Sequence, residues 1–308
     1  MKDVKIGLMG LGVIGTPIAH KLYNYYKDRF FLIANGERKE KLQRQRLKIN
    51  NEIFTPNIIS NRNELDTPLS LLIVCIKNYD LEKSLQDFKN VIDDETLILP
   101  LQNGIFSYDF FCKNFVNNIV LRGYVQGPNT KRYGSNIMYS NSGVMHIGKT
   151  QKDKQDIAYN VFTALDNAGV DVVWENDIKK MVWKKWMLNV AGNSITALTL
   201  ADYSYFSKSS EIQILCRNAM HEFLLVAQYE NVNLIRSDID DIIDYYVNYK
   251  GMKKTSMLED ILNNRPTENE FLAGELVRLA EKHGLNTPMI KTLYFLIKIR
   301  EEQYMTGE

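Results

Sequence analysis

Lys185, Asn189 and Asn193 recur at i, i+4 and i+8 in the run Val182-Trp-Lys-Lys-Trp-Met-Leu-Asn-Val-Ala-Gly-Asn193. On a helix this spacing places one ammonium and two carboxamides on a single face, with only slow drift around the axis. The residues around them, Val182, Trp183, Trp186, Met187, Leu188 and Val190, are apolar, so the helix is expected to be mostly buried. Buried polar groups need partners, and a small oxyanionic or carbonyl ligand would supply them. Read alone, the strip also fits a helix with one solvated face.

A second pattern lies near the N-terminus. Val4-Lys-Ile-Gly-Leu-Met runs as an apolar strand into Gly10-Leu11-Gly12-Val13-Ile14-Gly15, and an amphipathic stretch follows from Ile18 to Tyr26. Strand, Gly-x-Gly-x-x-Gly turn and helix form the context that dinucleotide binding requires. The first glycine makes the tight turn, the second lets backbone approach a pyrophosphate, and the third lets helix and strand pack closely, with the helix N-terminus facing the phosphates. A glycine-rich turn without a ligand is the alternative.

The elements that must position these residues follow from periodicity. Strands are expected at 4–9, 30–34, 70–76 and 97–101, and helices at 13–27, 79–90 and 105–115, an alternation that implies parallel βαβ units. Asn136 to Ile147 alternates like a hairpin with Asn141-Ser-Gly143 as its turn. A helix over 152–168 and a strand at 170–173 complete this part. Strand signals then stop, and helical periodicity covers 178–200, 209–230, 236–248, 267–282 and 288–302. The fold class is therefore α/β: a Rossmann-type doubly wound dinucleotide-binding domain over 1–177, then an all-helical substrate and catalytic domain over 178–308. The active site is expected in the cleft between the domains.

Composition excludes several functions. The chain has 308 residues, 45% hydrophobic and 24% charged, with a net charge of +1. This balance gives no electrostatic argument for nucleic acid or an anionic membrane. No apolar run reaches a membrane span, and no signal-peptide pattern precedes the first strand, so a cytoplasmic protein is expected. Cys75, Cys112 and Cys216 are too scattered for a disulfide framework and are expected as reduced thiols. His20, His146, His221 and His283 lack ligand spacing, so no metal is expected; His146 fits a structural strand position.

In its ordered motifs the chain resembles the ketopantoate reductase family, NADPH-dependent enzymes that reduce 2-dehydropantoate to pantoate on the route to pantothenate and coenzyme A. The resemblance covers nearly the whole length. It rests on the glycine turn, Cys75-Ile-Lys77 at a strand end, Leu101-Gln-Asn103-Gly104, the Lys185 to Asn193 helix, and Thr255-Ser256-Met257-Leu-x-Asp260 followed by Arg265-x-Thr-Glu268 and Gly274. It implies Lys185 as general acid, with Glu268 orienting it or polarising the site. Asn103, Asn189, Asn193 and Ser256 would hold the substrate, while Lys77 and Asn103 lie near the nicotinamide. Negative charge builds on a keto oxygen as hydride arrives, and a protonated lysine can stabilise it and then donate the proton. A free lysine is already charged at neutral pH, so no large pKa shift is needed to provide an acid, and an adjacent carboxylate would favour the charged form.

From the residues alone, other roles stay open. Glu268 could be a first-turn acid beside a Thr267-x-x-Glu270 capping box, Ser256 a helix cap, Asn103-Gly104 a plain turn and Lys77 a solvated strand end. Gly274 within a helix suggests close packing or ligand approach. Trp183, Trp186, Met187, Tyr203 and Tyr205 could shape the substrate pocket.

The family commonly has arginine where this chain has Asn35. Arg38 or Lys39 is then expected to reach the 2'-phosphate, so NADP(H) is expected over NAD(H), with Glu37 on the ribose hydroxyls as the alternative. The partners implied are a small 2-keto acid and, as a compatible assembly, a homodimer. A reductase for a different 2-keto acid, or a nucleotide-sensing regulator without turnover, are the competing readings.

Overall fold

The computed structural model describes residues 4–149 and 155–305. The chain divides into two compact units, Met1–Gln102 with Ser107–Ile178, and Asn103–Phe106 with Lys179–Glu308.

In the first unit, β1 (Ile6–Met9), α1 (Gly15–Tyr26), β2 (Phe30–Ile33), α2 (Gly36–Arg44), β3 (Leu47–Ile49), β4 (Glu52–Phe54), β5 (Asn57–Ile59), β6 (Leu71–Val74), α3 (Leu85–Val91) and β7 (Leu97–Pro100) follow in order. After α4 (Phe106–Asn114) come β8 (Gly123–Gln126), β9 (Asn129–Tyr133), β10 (Asn136–Asn141), β11 (Val144–Gly148), α5 (Gln155–Asn167) and β12 (Val172–Glu175). The main sheet is parallel, in the order β5-β2-β1-β6-β7, with Ile6 paired to Phe30 on one side and Leu71 on the other. Phe-Phe-Leu-Ile in β2 and Leu-Leu-Ile-Val in β6 are buried throughout, as a parallel sheet covered on both faces demands. This sheet with its helices confirms the Rossmann-type expectation.

Two smaller sheets, β4-β3-β10-β9 and β12-β11-β8, complete the unit. They correct the expected 136–147 hairpin. Asn141 and Gly143 do form a turn, the Asn141 carboxamide accepting from the Gly143 N–H at 2.9 Å. The strands on either side nevertheless part: β10 pairs with β9, and β11 with β8 and β12. A hairpin instead joins β9 to β10 through Gly134-Ser135, with Gly134 at φ +62°. A two-residue Gly-Ser connection is itself a hairpin signal. The expected 79–90 helix is a short 3₁₀ turn at Asn78–Asp80 followed by α3. Residues 152–154 of the expected 152–168 helix lie outside the described residues.

The second unit is helical, as expected. Its elements are α6 (Ile178–Leu188), a π-helical turn at Asn189–Asn193, α7 (Ser194–Thr199), α8 (Ser210–Tyr229), α9 (Arg236–Val247), α10 (Ser256–Leu262), α11 (Ala273–Lys282) and α12 (Pro288–Met305). Trp183 and Trp186 pack edge-on with Phe223 of α8, with ring centroids 5.0 Å apart between Trp186 and Phe223. With Met187 they belong to the core, which corrects their expected role as pocket walls; Tyr203 is buried too, and Tyr205 is exposed. The expected 267–282 helix is broken: Glu268 precedes a 3₁₀ turn at Asn269–Phe271, and α11 begins only at Ala273. Close packing accounts for Gly274, because a Cβ there would lie 2.9 Å from the Tyr294 ring on α12.

Candidate active site

The expected 178–200 helix is interrupted at its polar strip. Asn189–Asn193 form a π turn, in which hydrogen bonds reach one residue further than in an α-helix and carbonyls lose their usual partners. Side chains replace them. The Tyr246 hydroxyl donates to the Leu188 carbonyl at 3.1 Å, and the Thr196 hydroxyl to the Gly192 carbonyl at 2.8 Å. Gly192 makes the tyrosine's approach possible, since a Cβ there would sit 1.9 Å from the Tyr246 hydroxyl oxygen. Tyr246 is fully buried and stacked on Phe206, so it cannot step aside. Gly192→Ala should therefore destabilise the protein by about 1–3 kcal/mol or more through overpacking, measured by urea unfolding; an unchanged midpoint would contradict this role for the glycine.

The last turn of α6 carries Lys185. Its Nζ donates to Oδ1 of Asn103 at 3.0 Å, and Nδ2 of Asn103 donates to Oε2 of Glu268 at 3.3 Å. The amide orientation is dictated by chemistry, because an ammonium only donates and a carboxylate only accepts. Asn103 thus bridges the two expected catalytic groups. Gly104 beside it has φ +84° and room only for hydrogen, since a Cβ would lie 3.0 Å from the Phe271 carbonyl oxygen. Glu268 is buried and makes no side-chain helix cap. The expected capping box is absent: Thr267 accepts from the Asn269 N–H, while Glu270 binds Arg278 and the Tyr294 hydroxyl.

Part of the Lys185 side chain meets solvent, yet its ammonium lies deep among protein atoms. Burial lowers its pKa to about 8, Glu268 opposing the shift and the nearby charge of Lys253 adding to it. Desolvation of the ammonium outweighs its attraction to the Glu268 carboxylate. An acid with a pKa near working pH is better matched to proton transfer than an ordinary lysine.

Asn189 and Asn193 are both buried, and Nδ2 of Asn193 donates to Oδ1 of Asn189 at 3.4 Å. Nδ2 of Asn189 has no hydrogen-bond partner within the described residues. A buried amide donor left open in this way fits a ligand acceptor. Thr255 caps α10 and shares a 2.9 Å hydrogen bond with Thr196, tying this segment to α7. Ser256, the first residue of α10, is exposed. The cap is therefore Thr255 rather than Ser256. Lys253 was not singled out from the sequence, although it stands just before the Thr255-Ser256 motif; burial lowers its pKa, against the attraction of Glu259.

In the first unit, the glycine turn fits a dinucleotide. A Cβ on Gly15 would fall 1.9 Å from the Gly10 carbonyl oxygen, so helix and strand can pack only around hydrogen there. Gly12 has nothing within 4 Å of its Cβ position, leaving the loop open where a pyrophosphate would lie. No side chain caps α1 and no acidic residue stands in its first turn, so its positive end is left for an anion. Leu11 is buried, Ile14 half-buried and Val13 exposed. Asn35 caps α2, its oxygen accepting from the Gly36 N–H and its nitrogen donating to Asp87 at 3.0 Å. Arg38 is exposed in the first turn of α2, and Lys39 is paired with Glu64 at 2.7 Å. Lys77 stands between β6 and the following 3₁₀ turn. Gln102 is buried with neither end of its amide hydrogen-bonded within the described residues, a feature that only tertiary structure reveals.

Among the described residues no group of three or more His, Cys, Asp or Glu side chains is placed to hold a metal ion. No described helix is long and apolar enough to cross a membrane. The three cysteines are free thiols. His146 is a strand residue, stacked on Tyr124 and 2.7 Å from Glu175.

Comparison with known proteins places these observations. The family model described as ketopantoate reductase PanE/ApbA matches residues 6–152, and its C-terminal counterpart matches 177–301. A 2-dehydropantoate 2-reductase of Yersinia pestis is 27% identical over 264 residues, 84% of this chain and 83% of the relative. That of Lactococcus lactis is 24% identical, covering 97% and 98%. Among solved structures, a D-mandelate dehydrogenase with NADH and anilino(oxo)acetate shares the fold at a TM-score of 0.85, with 22% identity over 98% of this chain and 100% of that one. A dimeric ketopantoate reductase from Staphylococcus aureus does so at 0.81, with 22% identity and the same coverage. From its glycine turn to its helical second unit, the chain belongs to the ketopantoate reductase PanE/ApbA family.

Proposed function

We propose that this protein reduces 2-dehydropantoate to pantoate with NADPH, using Lys185 as the general acid. Family membership makes the chain a nicotinamide-dependent reductase of 2-keto acids; the particular substrate and the phosphorylated cofactor are our reading. The observation that carries it is the Lys185–Asn103–Glu268 chain of hydrogen bonds, one helical turn from the open amide donor of Asn189.

A bound reduced nicotinamide supplies the hydride, which adds to the carbonyl carbon. Lys185 stabilises the negative charge that grows on the keto oxygen and transfers the Nζ proton to it. Asn103 holds the lysine, and Glu268 sustains its protonated state against burial. Asn189, Asn193 and Ser256 orient the substrate's carboxylate and hydroxyl. In the first unit, Gly10 to Gly15 cradle the pyrophosphate, Lys77 serves the nicotinamide end, and Asn35 sets the start of α2 so that Arg38 can meet the 2'-phosphate. The assembly carried by this reading is a homodimer, as the S. aureus protein is described.

A reductase for another 2-keto acid would keep the same acid and the same amides. Lys253, whose charge acts on Lys185, favours this second reading, because an added cation can serve a different acidic side chain. Initial rates with 2-dehydropantoate and a panel of 2-keto acids, each with NADPH and NADH, decide between them. We expect the highest kcat/KM for 2-dehydropantoate with NADPH. A higher value for another acid would replace the substrate, and tight nucleotide binding without turnover on any acid would overturn the reductase reading.

A further inference from the structure

The β9–β10 hairpin lies outside the parallel sheet, yet it reaches the glycine turn. On β9 the Thr130 hydroxyl donates to the Val13 carbonyl at 2.9 Å. Side chains two apart on a strand share a face, so Arg132 projects from the same side of β9 as Thr130. Its backbone is held in place by pairing with Ile137 of β10, and β10 in turn pairs with β3, the strand that follows α2. Arg38 stands in the first turn of α2, beyond the end of β2, and its charge acts on Arg132. The guanidinium pKa of Arg132 is lowered by partial desolvation and, second, by the charge of Arg38.

Neither arginine makes an ion pair with a carboxylate among the described residues. Lys39, the other cation on this turn, is already committed: against the burial that raises it, Lys39 and Ser60 hold the Glu64 carboxyl down to about 2. Two guanidinium groups whose charges act on one another, neither paired to a carboxylate among the described residues, suit a phosphate, which each can bind through paired N–H donors. The end of the second strand is where a dinucleotide fold distinguishes a ribose 2'-hydroxyl from a 2'-phosphate.

We propose that Arg132, acting with Arg38, forms the clamp for the cofactor's 2'-phosphate, so that the β9 strand rather than the residue at position 35 sets the coenzyme preference. The proposal rests on the nicotinamide-nucleotide reading above and assigns its specificity to a strand outside the βαβ core.

Calorimetric titration of the full-length protein with 2',5'-ADP and with 5'-AMP, which differ only in the 2'-phosphate, tests it without turnover. Wild type should bind 2',5'-ADP at least about tenfold more tightly than 5'-AMP, the scale of one charge-assisted contact. Arg132→Ala should remove most of that preference and leave 5'-AMP affinity unchanged, which also shows that the variant is folded. Lys131→Ala, on the opposite face of β9, should keep the full preference. Retention of the preference in Arg132→Ala would overturn the role of β9. Equal or tighter binding of 5'-AMP by wild type would overturn the clamp and point to Glu37 on the ribose, leaving the reductase reading intact. Binding of neither nucleotide would overturn the nucleotide reading itself.

Discussion

Lys185→Ala should lower kcat/KM for 2-keto acid reduction by about 10²–10⁴-fold, the range that a positioned general acid contributes. Nucleotide affinity should be nearly unchanged, because the glycine turn belongs to the other unit. Two functions end together in this variant: charge stabilisation on the keto oxygen and delivery of the proton. The substitution also removes the charge of Lys185, which is attracted to the buried Glu268 carboxylate, and this costs stability. Lys185→Ala/Glu268→Gln removes that cost, so the double variant should be equally inactive but more stable than the single one. Steady-state kinetics and thermal unfolding measure both quantities. Turnover near the wild-type rate in a folded Lys185→Ala protein would sink the assignment.

The second large effect is expected from Glu268→Gln. Burial alone pulls the Lys185 pKa down, and Glu268 is the charge that resists it. The acid works only while protonated, so kcat/KM should hold below the lysine pKa and fall as pH rises through it. Removing the carboxylate lowers that pKa further and moves the falling limb to more acidic pH. Each unit of displacement is worth about tenfold in the protonated fraction well above the limb, so a displacement of about one to two units should cost about 5–50-fold at pH 8, a loss that should shrink toward pH 6. A helix-stabilising residue would give a different result: lower thermal stability with the pH profile unmoved.

Much of this site could be read before the fold was known. Gly10, Gly12 and Gly15 are legible because each answers a backbone requirement that few other residues satisfy. Lys185, Asn189 and Asn193 are legible because polar side chains on an apolar helix face are rare enough to need a reason. What could not be read depends on distant parts of the chain meeting. Asn103 bridges Lys185 and Glu268 from 82 and 165 residues away, and no local pattern announces such a contact. The π turn is set by Tyr246 standing against Gly192, again a tertiary event. Helix α2 has no buried residue, so it lacks the apolar stripe by which helices are recognised. The size of the shift at Lys185 is illegible in the sequence for a related reason. A neighbouring carboxylate is visible in a motif, whereas depth of burial is a property of the whole fold.

The direct measurement is the pH dependence of kcat/KM for NADPH oxidation by the wild-type protein with 2-dehydropantoate, from pH 6 to pH 10 at constant ionic strength. A basic limb near the Lys185 value of about 8, falling about tenfold per pH unit, is the predicted result. A rate that stays level up to pH 10 would contradict proton donation by Lys185, and with it the account of this site.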